Sequence, residues 1–154
     1  MSDAAQRDAT PISGRKAARR LAIQALYQWD LTGDGIADIV EQCMAREPGR
    51  MAVDYEYFDA MVRGVATTMT SLDARYEPFL DRPAEQLDPI ERAVLRAGAW
   101  EFENRLDIPY RVVINEAVDL AKLFGAEDGH KYINGVLDKL ARHVRVAETQ
   151  RRPT

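Results

Sequence analysis

The chain has 154 residues, of which 46% are hydrophobic and 30% are charged, and its formal net charge at pH 7 is −4. This composition is typical of a globular protein with one core, and it argues against a disordered chain and against a general nucleic-acid coat. We expect a cytoplasmic protein, because no apolar stretch approaches the roughly 20 residues that cross a bilayer and the N-terminus lacks the apolar segment of a secretory signal.

The spacing of the apolar residues predicts helices along the chain, since it follows the 3.6-residue helical period and shows no sustained strand-like alternation. The seven expected helices cover residues 14–31, 36–46, 53–69, 71–80, 88–104, 109–124 and 127–144. Polar, unpatterned stretches at 1–12 and 146–154 predict flexible tails, which leaves 13–145 as the folded domain. We therefore expect an all-α fold, a single compact domain of about seven helices arranged as a bundle.

Capping residues predict several helix boundaries. Ser13 is expected to begin the first helix, and Ser71 to begin a short helix of its own. The clearest helix start is Asp88-Pro89-Ile90-Glu91, which combines a capping aspartate, a proline at the first helical position and a glutamate three residues after the cap.

The first helix carries a local positive charge on a chain that is negative overall. Four basic residues and no acidic residue occur between Ala9 and Trp29; they are Arg15, Lys16, Arg19 and Arg20. On a helix they occupy one sector, opposite a face of alanine and leucine. Such a cationic face can contact successive phosphates of a nucleic acid, although a solvated charged face is the common alternative.

The turn after the first helix resembles a calcium-binding loop in part. Starting at Asp30, oxygen-bearing side chains fall at the first, third, fifth, ninth and twelfth positions, with Gly35 at the sixth. Thr32 departs from the usual aspartate or asparagine at the third position, and the chain has no second loop of this kind. A plain turn in which Asp34 caps the second helix is therefore the favoured interpretation.

The chain lacks a recognisable catalytic constellation. His130 and His143 are too few for a histidine metal site or a triad, and Cys43 is the only cysteine, so neither a disulfide within the chain nor a cysteine zinc site can form. The paired carboxylates fit exposed helix faces, and no glycine-rich phosphate loop occurs. We therefore expect a binding protein that is not an enzyme and holds no cofactor or metal.

Several segments together resemble the NusB family of transcription antitermination factors. Residues 15–31 (RKAARRLAIQALYQWDL) are similar to the opening helix of the family, and residues 107–125 (DIPYRVVINEAVDLAKLFG) and 126–139 (AEDGHKYINGVLDK) to its two closing helices. The resemblance spans residues 13–145. It implies an all-helical protein that binds boxA RNA together with the ribosomal protein NusE, and that joins RNA polymerase to suppress premature termination, notably in ribosomal RNA synthesis.

The resemblance also implies roles for individual residues. The basic residues of the first helix coincide with the RNA-binding segment of the family. The further implied RNA-binding residues are Arg96, Asp128, Lys131 and Tyr132. An aromatic ring at Tyr132 suits base stacking, and core packing is its alternative. Contacts with NusE are implied at Tyr27 and Glu91, and Glu91 also fits a helix-capping role.

Other functions stay open at this point. A similar helical domain forms the N-terminal RNA-binding part of some cytosine methyltransferases of ribosomal RNA, although no residues remain here for a catalytic domain. A scaffold that binds only proteins is a further alternative, and the free protein is either a monomer or a homodimer through its first helix. Because Ala17 and Ala18 interrupt the basic run, we expect NusE to supply much of the RNA-binding surface.

Overall fold

A computed structural model describes residues 2–46 and 52–150, with side chains described from residue 14 onward. Within these ranges the backbone forms α-helices and two short 3₁₀ turns, and no strand. The helices are α1 (Ser2–Thr32), α2 (Ile36–Arg46), α3 (Tyr55–Tyr76), α4 (Pro89–Asn104), α5 (Tyr110–Phe124), α6 (Gly129–Val144) and α7 (Val146–Thr149), and the 3₁₀ turns cover Glu77–Phe79 and Ala84–Gln86. The predicted all-α fold of about seven helices is confirmed.

Local capping chemistry sets the boundaries that the sequence predicted best. The Asp88 carboxylate accepts a hydrogen bond from the Ile90 backbone amide at 3.0 Å, and Pro89 is the first residue of α4. Gly33 follows α1 with φ +72°, a left-handed conformation that a residue with a Cβ atom rarely adopts. Asp88 thus fixes the start of α4, and Gly33 fixes the turn between α1 and α2.

Two predicted helix starts were wrong. The first helix begins at Ser2 and not after Ser13, since the run of alanine, glutamine and arginine over residues 2–8 favours helix more than its polar character suggested. Ser71 does not begin a helix, because α3 continues to Tyr76 and the expected break is a kink at Thr68 (φ −117°, ψ 20°).

The chain also differs from expectation after α6. Residues 146–149 form the short helix α7, where the sequence predicted a tail. Residues 151–154 of that predicted tail lie outside the described residues. The domain limits of 13 and 145 stay a prediction.

The chain divides into two compact units, Met1–Ala66 and Thr67–Thr154, and the boundary falls within α3. In the first unit α1 and α2 pack against each other across the turn at Gly33. The predicted apolar face of α1 is buried in this unit, with Ala18 and Ala22 fully inaccessible to solvent, and α2 contributes Ile39 and Cys43. The basic residues of α1 thus belong to a helix whose apolar face is packed in the first unit.

The second unit is built around α4. Helices α4, α5 and α6 pack pairwise, while α7 and the 3₁₀ turn at Glu77–Phe79 pack on α6. Helix α4 is buried from Ala93 to Phe102, and at Gly98 it approaches α6 so closely that a Cβ atom would lie 3.1 Å from Leu137. None of the described helices is long and apolar enough to span a membrane.

Candidate nucleic-acid interface

The four basic residues of α1 have very different exposures. Lys16 and Arg20 are exposed, Arg15 is half-buried, and only 4% of the surface of Arg19 is accessible. The prediction of a fully outward cationic face was therefore wrong for Arg19. Positions 16 and 20 lie one helical turn apart, so their two charges are neighbours on the surface of α1.

Tyr57 explains the burial of the other two arginines. The guanidinium carbons of Arg15 and Arg19 lie 4.7 and 5.5 Å from the centroid of the Tyr57 ring, which is itself 3% exposed. An arginine over an aromatic face gains a favourable cation–π interaction. The Nε atom of Arg15 is buried and has no hydrogen-bond partner among the described residues. These two arginines therefore fasten α1 to α3.

The start of α3 is docked onto α1 by its own cap. The Asp54 carboxylate accepts a hydrogen bond from the Tyr57 amide at 3.0 Å, and the Asp54 amide donates to the Gly14 carbonyl at 3.0 Å. A Cβ atom at position 14 would lie 3.3 Å from the Asp54 nitrogen, so the close approach of the two backbones depends on Gly14. This contact places the Tyr57 ring beside Arg15 and Arg19.

Arg96 lies in the interior of the second unit and not on its surface. Its guanidinium donates two hydrogen bonds to the Asp73 carboxylate, at 2.9 and 3.0 Å, and its side chain is 7% exposed. The Tyr76 hydroxyl donates to the same carboxylate at 2.8 Å. The forked geometry of the guanidinium matches a carboxylate, so Asp73 engages the group of Arg96 that the implied RNA contact would need.

The other three implied RNA-binding residues of the second unit lie together at the start of α6. Asp128 and Lys131 are 84% and 74% exposed at the side chain, and their charged groups are 3.9 Å apart. Tyr132 is half-buried, and its oxygen accepts a hydrogen bond from the Asp81 amide at 3.1 Å. Burial raises the pKa of Tyr132 above its ordinary value. The two alternatives for Tyr132 were base stacking and core packing. The structure adds a third contact, because Arg82 lies over the Tyr132 ring.

Arg82 is a residue that the sequence analysis missed. Its guanidinium carbon lies 4.5 Å from the centroid of the Tyr132 ring, and its Nε donates to the Asp81 carboxylate at 2.7 Å. The hydrogen bond from Arg82 lowers the pKa of the Asp81 carboxyl, and the same bond raises the pKa of Arg82. Residue 82 lies in an irregular connection, where helical periodicity gives no information on side-chain direction.

The two residues implied to contact NusE also differ in exposure. Tyr27 on α1 is 37% exposed, whereas Glu91 on α4 is 8% exposed. A Cβ atom at position 129 would lie 3.1 Å from a carboxylate oxygen of Glu91, so this carboxylate faces the first residue of α6. Tyr27 is therefore accessible to a partner protein, whereas little of the Glu91 surface is accessible.

The turn that resembles a calcium loop forms a cleft with acidic walls. Asp34, Asp38 and Glu41 line an open cleft of about 550 Å³. Across the part of the chain that the structure describes, no three potential ligand side chains are grouped closely enough to hold a metal ion. The Thr32 hydroxyl accepts a hydrogen bond from the Asp34 amide at 3.1 Å, which fits a plain turn between two helices.

Arg145 is a second residue that the sequence analysis missed, since it fell at the edge of the predicted tail. It is 5% exposed and forms an ion pair with Glu148 of α7. Its guanidinium donates at 2.9 to 3.0 Å to three backbone carbonyls, those of Phe102, Arg105 and Ile108. The Glu148 carboxylate in turn accepts from the Tyr110 amide at 3.0 Å. Arg145 thus joins the end of α4, the start of α5 and α7.

Known proteins resemble this chain over most of its length. Residues 16–142 match the model of the NusB family. The transcription antitermination protein NusB of Alcanivorax borkumensis is 52% identical over 142 residues, which cover 92% of this chain and 94% of that protein. That of Paraburkholderia phymatum is 52% identical over 138 residues, covering 90% and 94%. A crystal structure of antitermination factors NusB and NusE in complex with double-stranded RNA has a TM-score of 0.75 at 28% identity and covers 84% of this chain and 96% of that chain.

Proposed function

Because this chain belongs to the NusB family, we propose that it is a transcription antitermination factor that binds boxA RNA together with the ribosomal protein NusE. It joins the transcribing RNA polymerase in the cytoplasm and suppresses premature termination, notably of ribosomal RNA transcripts, without catalysing a reaction. The 52% identity to a transcription antitermination protein over 92% of the chain carries this conclusion. The similar chain in the solved complex of antitermination factors NusB and NusE with double-stranded RNA supports RNA and NusE as partners.

In the first unit, the RNA contacts divide the basic residues of α1 by exposure. Lys16 and Arg20 face solvent one helical turn apart, so they contact phosphates directly. Arg15 and Arg19 hold α1 against Tyr57 and act mainly by positioning the exposed pair. Tyr27 contributes an exposed ring to the NusE contact.

In the second unit, the RNA contacts lie at the start of α6. The exposed ammonium group of Lys131, in the first turn of α6, attracts a phosphate of the RNA. Asp128 pairs with Lys131 and thereby reduces the positive charge at the start of α6. Arg96 supports this unit through Asp73 and does not itself contact RNA.

Fluorescence anisotropy of a boxA RNA and a scrambled RNA, with and without NusE and across a salt series, tests the proposal. We expect the wild-type protein to prefer boxA and to bind it more tightly when NusE is present. Equal and weak binding to both RNAs, unaffected by NusE, would contradict the proposal and favour a protein scaffold.

The double variant K16Q/R20Q tests the basic surface within the same assay. Removal of two phosphate contacts is expected to reduce the steepness of log affinity against log salt by about 1.4, since each contact to a single strand contributes about 0.7. The matched control is K122Q/K139Q, which removes the same charge from exposed positions of α5 and α6. Equal losses in both variants would remove Lys16 and Arg20 from the interface.

A further inference from the structure

Arg82 covers one face of the Tyr132 ring, the side chain that was expected to stack with a base. The Arg82 guanidinium carbon stands 4.5 Å from the ring centroid, within the range of a cation–π contact. The Tyr132 oxygen accepts the hydrogen bond from the Asp81 amide, which holds the end of the ring beside residues 81 and 82. A base that stacked directly on this face of Tyr132 would have to displace Arg82.

Arg82 itself is held in place and stays accessible. Two of its nitrogen atoms, Nε and one Nη, donate to the two oxygens of the Asp81 carboxylate at 2.7 and 3.3 Å. These bonds fix the orientation of the guanidinium, since both are made by a single carboxylate in the adjacent residue. The Arg82 side chain is nevertheless 40% exposed. The guanidinium is therefore ordered between a ring on one side and solvent on the other.

We propose that Arg82 is a further RNA-binding residue, on whose outer face an unpaired RNA base stacks, with Tyr132 as the positioning residue beneath it. This inference rests on the proposed RNA-binding function and specifies its contact in the second unit. Unstacked bases bind the plane of an arginine guanidinium as they bind aromatic rings. The order of contacts is then base, Arg82 and Tyr132.

The surrounding charges separate this contact from a simple phosphate contact. The Asp81 carboxylate, 63% exposed at the side chain, already neutralises Arg82, and Glu91 adds a further negative charge nearby. A phosphate brought to Arg82 would meet Asp81 as well, whereas a neutral base would not be repelled. The ammonium group of Lys131, 74% exposed on the first turn of α6, is better placed to attract a phosphate.

The variants R82K and R82A test the proposal with boxA RNA that carries 2-aminopurine, a fluorescent base whose emission depends on what it stacks against. Lysine keeps the charge but lacks the planar group. We therefore expect both variants to weaken binding by about tenfold and to change the emission at the same RNA position. The salt dependence of R82K should equal that of the wild type.

The matched control is R111K, because Arg111 also lies over a tyrosine ring, that of Tyr110, at 5.6 Å on an exposed part of the second unit. The R111K variant should leave the affinity and the 2-aminopurine emission unchanged. Wild-type affinity in R82K would overturn the proposal in favour of a point charge, and unchanged or tighter binding by R82A would show that Arg82 only shields Tyr132. If the wild-type protein fails to bind boxA RNA, the proposed function fails as well, so the two failures are distinguishable.

Discussion

At the scale of single residues, Tyr57 divides the basic residues of α1 into two pairs. Positions 15 and 19 lie along one line of the helix and meet the Tyr57 ring, while positions 16 and 20 lie along the next line and face solvent. The same spacing of four residues thus serves two purposes. A helical projection shows the charged sector, but it cannot show which edge of that sector another helix covers.

Tyr76 gives a prediction for alkaline pH. Burial, followed by the hydrogen bond to Asp73, raises its pKa above the ordinary value of 10.0. The folded state therefore holds the phenolic proton more strongly, and the resulting stabilisation is complete below about pH 10 and is lost as the pH rises further. Tyr76→Phe should lower the free energy of unfolding by about 1 kcal/mol at neutral pH, because one hydrogen bond is removed.

Urea denaturation from about pH 7 to about pH 11 measures this effect. The wild-type protein should lose stability above about pH 10 more steeply than Tyr76→Phe, since the variant has no phenol at that position to ionise on unfolding. The remaining tyrosines act equally in both proteins and cancel in the difference. Parallel pH profiles of the two proteins would contradict a raised pKa for Tyr76 in the folded state.

Individual contacts were predictable where both partners are close in sequence. The cap of α4 joins residues two positions apart, Asp88 and Ile90, so a local motif identified it. Arg96 and Asp73 are 23 positions apart, and no local pattern pairs them. The burial of Arg96 and the covering of Tyr132 by Arg82 required the packed structure, because both depend on contacts between separate elements.

At the scale of elements, the short helix α7 was also missed because its contacts are with residues far away in the sequence. Its polar residues predicted a tail, yet Arg145 and Glu148 attach it to α4 and α5 through backbone groups. Backbone carbonyls exist in every residue, so a sequence does not mark which of them a buried arginine will reach. By contrast, the predicted bounds of α2 agree with the structure because Gly33 and an apolar periodicity mark them locally.

Arg145→Met is expected to lower the free energy of unfolding by about 2 to 4 kcal/mol, since several buried carbonyls and the Glu148 carboxylate lose their donor. Arg142→Met is the matched control on α6, because Arg142 is 69% exposed and pairs only with a partly exposed Asp138 among its described contacts. It should change stability by less than about 0.5 kcal/mol. Urea denaturation compares the two, and equal losses would show that Arg145 has no special role.

At the scale of the whole molecule, the distribution of charge matters more than its sum. The chain has a formal net charge of −4 and a calculated pI of about 5.3, values that do not suggest RNA binding. Exposed basic residues nevertheless coincide with the segment that carries the family resemblance, as Lys16 and Arg20 show. Screening limits each charge to a range of about 10 Å at 0.1 M salt, so an RNA senses this local surface more than the distant acids.

A restored net charge is therefore not expected to restore RNA binding. Glu77→Gln and Asp119→Asn, at exposed positions of the second unit, return the double variant K16Q/R20Q to the wild-type net charge. We expect the quadruple variant to bind boxA RNA as weakly as the double variant and with the same reduced salt dependence, because the lost phosphate contacts are not replaced. Anisotropy titrations at several salt concentrations compare the three proteins. Recovery of wild-type affinity would mean that overall charge, and not the surface of α1, controls binding.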